Sequence, residues 1–165
     1  MPTVVWLVEQ AGKLDGVLFV VVDLLVAWLL MRISSYRLAK PSTIPSIIGF
    51  VYLLNPFNLL AALSRGTAAF SHLAIVGAFW LAIDGQHTLA AVFAALAGHL
   101  SLYPFGVILP ILLMRKSRKS TILSLIVFLL SHALFLSLSM QLTGSWAFLQ
   151  ATYGCKYRSW ALGLN

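Results

Sequence analysis

Apolar residues run along the chain in long blocks, separated by short polar punctuation. From about Leu14 to Ile33 the run is interrupted by little beyond Asp15, Asp23 and Arg32. Further blocks extend from about Ile44 to Leu63, Thr67 to Ile83, Thr88 to Met114 and Thr121 to Leu142. A helix needs roughly 20 apolar residues to cross the hydrocarbon core of a bilayer. The pattern therefore predicts an all-α fold: a polytopic transmembrane helical bundle of about five spans. Short connections predict that consecutive helices are antiparallel neighbours. Two spans are interrupted, the second by Asn55-Pro56 and the fourth by Tyr103-Pro104 and then Pro110. Proline removes a backbone donor and crowds the preceding turn. In a bilayer the freed carbonyls need protein or a polar cavity beside them. Kinks facing other helices are the expectation at both places.

Composition strengthens this picture. Hydrophobic residues make up 61% of the 165, charged residues 9%, and mean hydropathy is +0.96. A soluble domain carries about 25% charged residues, and a fold of this size could not bury so much apolar surface. The first block is longer than the core of a cleavable signal peptide and holds Asp23 in its middle, so it reads as a retained span. Net charge is +7, but the basic residues flank the apolar blocks, as headgroup anchors do. Binding to membrane lipid, and not to nucleic acid, follows. With five alternating spans, six basic residues fall on one side (Lys13, Arg65, Arg115, Lys116, Arg118, Lys119) and five on the other (Arg32, Arg37, Lys40, Lys156, Arg158), which leaves orientation open.

Few residues carry candidate chemistry. Asp23 lies mid-span, where a carboxylate costs roughly 2.5–3.5 kcal/mol and needs a partner. It is read either as a contact for a cationic or hydroxyl-rich headgroup, or a proton-accepting base, or as half of an interhelical pair with a basic residue. Arg65 is read as a phosphate grip or an interfacial anchor. His72, His99 and His132 read as hydrogen-bonded packing residues, since their spacing matches no metal motif. Cys155 is the single cysteine, so no disulfide or metal-type Cys/His set arises. Asp84-Gly85 reads as a tight turn. Ala90, Ala91, Ala94, Ala95, Ala97 and Gly98 read as a close helix-packing surface. No nucleophile–base constellation or phosphate loop is present, and no cofactor is expected.

The string Tyr52-Leu53-Leu54-Asn55-Pro56 resembles the YLxNP signature of two related membrane-protein families of glycosylphosphatidylinositol (GPI) anchor biosynthesis. One is the class U subunit of GPI transamidase, PIG-U. The other is the class M mannosyltransferase, PIG-M. Ser101-Leu102-Tyr103-Pro104 is similar to the SLYP of class U, where the mannosyltransferase has a lysine-containing version. The stretch Ser145 to Gly154, with Trp146, Phe148, Tyr153 and Gly154, resembles the class U SWDFIxxxYG, except that Ala147 replaces the acid. Ser64-Arg65-Gly66 is closer to the mannosyltransferase. The balance favours class U. Residues 1–154 then form a PIG-U-like helical region, part of a longer family domain, and 155–165 a divergent tail. Family members are far longer, so a truncated form is expected.

The resemblance implies a non-catalytic subunit of the GPI transamidase complex, multi-pass in the endoplasmic reticulum membrane. It would partner the other subunits, including the cysteine-protease-like catalytic one, and hold the GPI lipid. Its core would resemble part of a GT-C-like membrane region without that activity. The implied lipid or glycan contacts are Asn55, Arg65, Ser101, Tyr103 and Asp23; that Asn55, Arg65, Ser101 and Tyr103 merely stabilise the kinks is the competing reading. A dolichol-phosphate-mannose-dependent mannosyltransferase, or a fragment with no activity of its own, remain the alternatives.

Overall fold

The computed structural model describes residues 15–36, 43–63, 67–101, 106–114 and 117–144. The elements are α1 (Asp15–Tyr36), α2 (Ile44–Leu53), α3 (Pro56–Leu63), α4 (Ala68–Ile83), α5 (His87–Leu100), α6 (Ile108–Leu113) and α7 (Arg118–Thr143). The all-helical expectation holds among the described residues. Gly16–Tyr36 and Arg118–Thr143 are long and apolar enough to cross a membrane; α2, α4 and α5 are apolar but shorter.

α5 is the hub, packed between α4 and α7. Its small residues explain why: Ala90, Ala91, Ala94 and Ala95 are all fully buried, and they meet Ala78 and Ala82 of α4 and Phe128 of α7 in one cluster. Small side chains let helix backbones approach closely, which is the main source of helix association where lipid replaces water. Gly77 of α4 serves the same end, since a Cβ there would come within 2.8 Å of the Phe93 ring. The α4–α5 turn is the expected one at Asp84-Gly85, with Gly85 at φ +84°, a conformation glycine adopts without steric cost.

Polarity is inverted across α7. Its inward stripe carries Ser124 and Ser139, each fully buried, whereas Leu130 and Leu134 on the outer face are 66% and 57% exposed. In water this would be upside down. Against lipid it is the low-energy arrangement, because hydroxyls find partners only inside the bundle. Ser124 Oγ donates to the His87 carbonyl at 3.5 Å, and Ser139 Oγ lies 2.9 Å from His99 Nε2. His132 Nδ1 lies 3.4 Å from the Ala95 carbonyl. The histidines are thus hydrogen-bonded packing residues, as their setting suggested.

The same pairs correct the topology. His87, Ala95 and His99 of α5 meet Ser124, His132 and Ser139 of α7 in ascending order, so the two helices run parallel. Ile108 and Ile111 of α6 pack in the same cluster as Ala90, Ala91 and Ala94, so the chain has doubled back past the end of α5 before α6 begins. The fourth apolar block is therefore not one kinked span but a helix, a reversal and a short return helix. Pro110 is tolerated because it lies in the first turn of α6, where backbone N–H groups have no intrahelical acceptor.

Elsewhere neighbours alternate. Asp23 meets Tyr52 and Met31 lies against Gly49, so α1 and α2 are antiparallel. Phe19 packs edge-on to Phe70 at 5.5 Å, and Arg32 and Tyr36 share a cavity with Trp80 and Asp84, so α1 and α4 are parallel. One end of the bundle thus collects the C-termini of α1 and α4 and the N-termini of α5 and α7. Arg32, Arg118 and Lys119 all lie at that end, where five strictly alternating spans would have separated them.

Candidate functional site: a polar cluster at the helix break

The break at Asn55-Pro56 is a full interruption between α2 and α3. Its hydrogen bonds explain the motif residue by residue. Pro56 is the first residue of α3, where its fixed φ and missing N–H cost nothing. Asn55 caps that helix: its backbone carbonyl accepts from the N–H groups of Asn58 at 3.0 Å and Leu59 at 3.1 Å, and its Oδ1 accepts from Phe57 N–H at 3.0 Å. Asn side chains are among the best helix N-caps. The Tyr52 carbonyl, near the end of α2, accepts from Asn58 Nδ2 at 2.9 Å and from Asn55 N–H at 3.3 Å. Several backbone groups freed by the break thus find partners within it, as a lipid-embedded chain favours.

Tyr52 uses its side chain differently. Its hydroxyl donates to Asp23 Oδ1 at 3.1 Å and lies 3.3 Å from Nδ1 of His72. A phenol has one proton to give. With that proton on the bond to Asp23, the second contact places a proton on Nδ1 of His72, which donates to the tyrosine oxygen. The result is a three-helix relay, His72 of α4 to Tyr52 of α2 to Asp23 of α1. Asp23 is thus held by a hydroxyl among the described residues, not by the basic residue its position invited.

Two clefts flank the Tyr52 ring. One, of about 200 Å³, is lined by Asp23, Tyr52, Asn58 and aliphatic residues of α1 and α3. The other, of about 330 Å³, is lined by Leu30, Tyr52, Asn55, Asn58, His72, Ile75 and Val76. Each presents a few convergent polar groups in apolar walls, the usual character of a site for a small polar group carried on an apolar chain. Of the sequence-derived candidates, Asp23, Tyr52 and Asn55 come together here. Ser101 does not: it ends α5 in extended conformation, with its N–H bonded to the Ala97 carbonyl. Arg65, Tyr103, Pro104, Trp146, Phe148, Tyr153 and Gly154 lie outside the described residues. Asn58 is a member that the sequence did not single out, and His72 was read from the sequence only as a hydrogen-bonded packing residue. Asn58 had a signal, an amide three residues after a cap; the place of His72 beside Tyr52 had none without knowledge of which helices touch. Among the described residues no group of three His, Cys, Asp or Glu could hold a metal ion.

Comparison with known proteins agrees with the motif. A sequence profile for the GPI transamidase subunit PIG-U matches residues 3–162. The GPI transamidase component GAB1 of Saccharomyces cerevisiae is 32% identical over 150 residues, covering 88% of this chain and 37% of the yeast protein. The human GPI-anchor transamidase component PIGU is 32% identical over 124 residues, covering 67% of this chain and 28% of its own length. The chain thus spans about a third of the relatives it matches. On the extent of the profile match and the identity to the yeast protein, the chain belongs to the PIG-U family of GPI transamidase subunits.

Proposed function

We propose that this chain acts as a non-catalytic membrane subunit of GPI transamidase in the endoplasmic reticulum and holds the GPI lipid in the clefts beside Tyr52. The relatives are named transamidase components, which favours this reading over a mannosyltransferase. The observation that carries the lipid-holding part is the α2–α3 break. Its caps bond within the break while Asp23, Tyr52, Asn55, Asn58 and His72 border two clefts whose remaining walls are aliphatic. Glycan hydroxyls would meet these polar groups, and acyl chains the aliphatic walls.

The test is affinity purification of the tagged chain from endoplasmic-reticulum membranes in mild detergent, with mass spectrometry of proteins and lipids. Transamidase subunits, including the cysteine-protease-like one, should co-purify together with GPI. Val76→Trp fills the larger cleft without removing any member of the Asp23–Tyr52–His72 relay. It should lower bound GPI several-fold at unchanged yield of the complex. Unchanged GPI sinks the lipid-holding role, and absence of every subunit sinks the transamidase assignment.

The fold also supports an orientation. The bundle end at which α1 stops and α7 starts carries Arg32, Arg118 and Lys119, and the connections joining helices there carry Arg37, Lys40, Arg115 and Lys116. That assigns seven of the 11 basic residues to one side, leaving Lys13, Arg65, Lys156 and Arg158 for the other. Under the positive-inside rule the richer side faces the cytoplasm. In a Cys155→Ser background, Ser117→Cys should react with a membrane-impermeant maleimide on sealed microsomes. Thr67→Cys should react only after permeabilisation. The reverse pattern would overturn the orientation.

A further inference from the structure

A third cavity, of about 290 Å³, lies at the C-terminal ends of α1 and α4. It is lined by Arg32, Ser35 and Tyr36 at the end of α1 and by Trp80, Ile83 and Asp84 at the end of α4. The larger Tyr52 cleft reaches Leu30 and Val76, but it shares no lining residue with this cavity, which is therefore a distinct site.

Its charges are unusual. Arg32 and Asp84 border the same space, yet among the described residues they form no ion pair with each other. Arg32 is held instead over the Trp28 ring, with Cζ 5.4 Å from the centroid. Asp84 receives one hydrogen bond on Oδ2, from Gln86 Nε2 at 3.1 Å, and keeps Oδ1 for another donor. A guanidinium and a carboxylate left apart across an open cavity fit a ligand that carries both opposite charges. A guanidinium matches phosphate oxygens through its fork of donors. A carboxylate with aromatic faces nearby, here Tyr36 and Trp80, matches an ammonium group. Beyond Asp23 on α1 and His72 on α4 both helices are apolar up to this point, and Trp and Tyr are typical of the headgroup level.

We propose that this cavity binds the headgroup of a zwitterionic glycerophospholipid, with its phosphate on Arg32 and its ammonium between Asp84 and the two aromatic rings. The lipid would seal the joint between α1 and α4 at the bundle's basic end. The assignment does not depend on the transamidase reading, since no GPI and no other subunit is needed to test it.

The purified chain is placed in nanodiscs of equal phosphatidylcholine and phosphatidylglycerol with identical acyl chains. It is then stripped with detergent, and the retained lipid is measured by native mass spectrometry. Phosphatidylcholine should be retained several-fold over phosphatidylglycerol. Asp84→Asn should bring the ratio close to parity, Asp84→Glu should preserve it, and Arg32→Gln should reduce retention of both lipids. Equal retention by the unsubstituted chain, or an unchanged ratio in Asp84→Asn, overturns the proposal. Displacement of the lipid by soluble glycerophosphocholine at millimolar concentration would also overturn it, assigning the cavity to a soluble zwitterion.

Discussion

Replacing Tyr52 by phenylalanine is expected to destabilise the bundle more than the loss of one hydroxyl suggests. The oxygen serves two partners, Asp23 at 3.1 Å and His72 at 3.3 Å. Removing it leaves a half-buried carboxylate and an imidazole facing apolar walls. A buried polar group stripped of its partner costs about 1–3 kcal/mol, and more when charged. The double variant Asp23→Leu with Tyr52→Phe removes the acid along with its donor, so it should recover much of the loss. A cycle of the two single variants and the double, read as thermal midpoints in detergent, measures the coupling. Additive effects would mean that the hydroxyl and the carboxylate do not interact. Strong coupling would give the motif tyrosine a reason of its own, distinct from the capping done by Asn55 and the helix start supplied by Pro56.

Ala94→Leu is expected to be at least as damaging. Ala94 is fully buried where α4, α5, α6 and α7 converge. Extra methylenes in a well-packed core cost about 1–3 kcal/mol and occasionally more. The effect matters more here because lipid offers helices no hydrophobic reason to associate; close packing is most of what holds them. Ala94→Ser adds one small atom and should behave nearly like the parent. The check is the thermal midpoint together with the monodisperse yield on size exclusion. If Ala94→Leu matched the parent in both, the α4–α5–α7 interface would be looser than its geometry indicates.

Much of this architecture is legible in the sequence, and the parts that are not share one cause. Hydropathy blocks located the helices because each must satisfy its own backbone. The break at Asn55-Pro56 and the turn at Asp84-Gly85 were visible because capping and positive φ have residue-specific chemistry. The alanine-rich face of α5 was visible because little else makes small residues cluster so densely. What stayed hidden depends on which helices touch. Asp23 found its partner 29 residues away on α2, and nothing local marks Tyr52 as a donor and not another core aromatic. The reversal after Leu100 was hidden for the same reason. Prolines at 104 and 110 in one apolar block suit a kinked crossing as well as two helices folded back on each other. That single ambiguity moved the run from Arg115 to Lys119 to the wrong side in an alternating count. The site residues Arg65, Tyr103 and Pro104, and those from Trp146 to Gly154, lie outside the described residues.

The lengths of the helices have a consequence for the membrane itself. α1, with 22 residues, and α7, with 26, are roughly 33 and 39 Å long. Both match or exceed a hydrocarbon layer of about 30 Å. α4, with 16, and α5, with 14, are only roughly 24 and 21 Å long. Long helices thus flank a short hairpin, whose turn lies level with the end of α1 around the Arg32–Asp84 cavity. A bilayer relieves hydrophobic mismatch by thinning locally, at a fraction of a kcal/mol per ångström. Around the α4–α5 hairpin the bilayer would therefore thin, while beside α1 and α7 it would keep its resting thickness. A protein of this shape is most comfortable in a thin membrane.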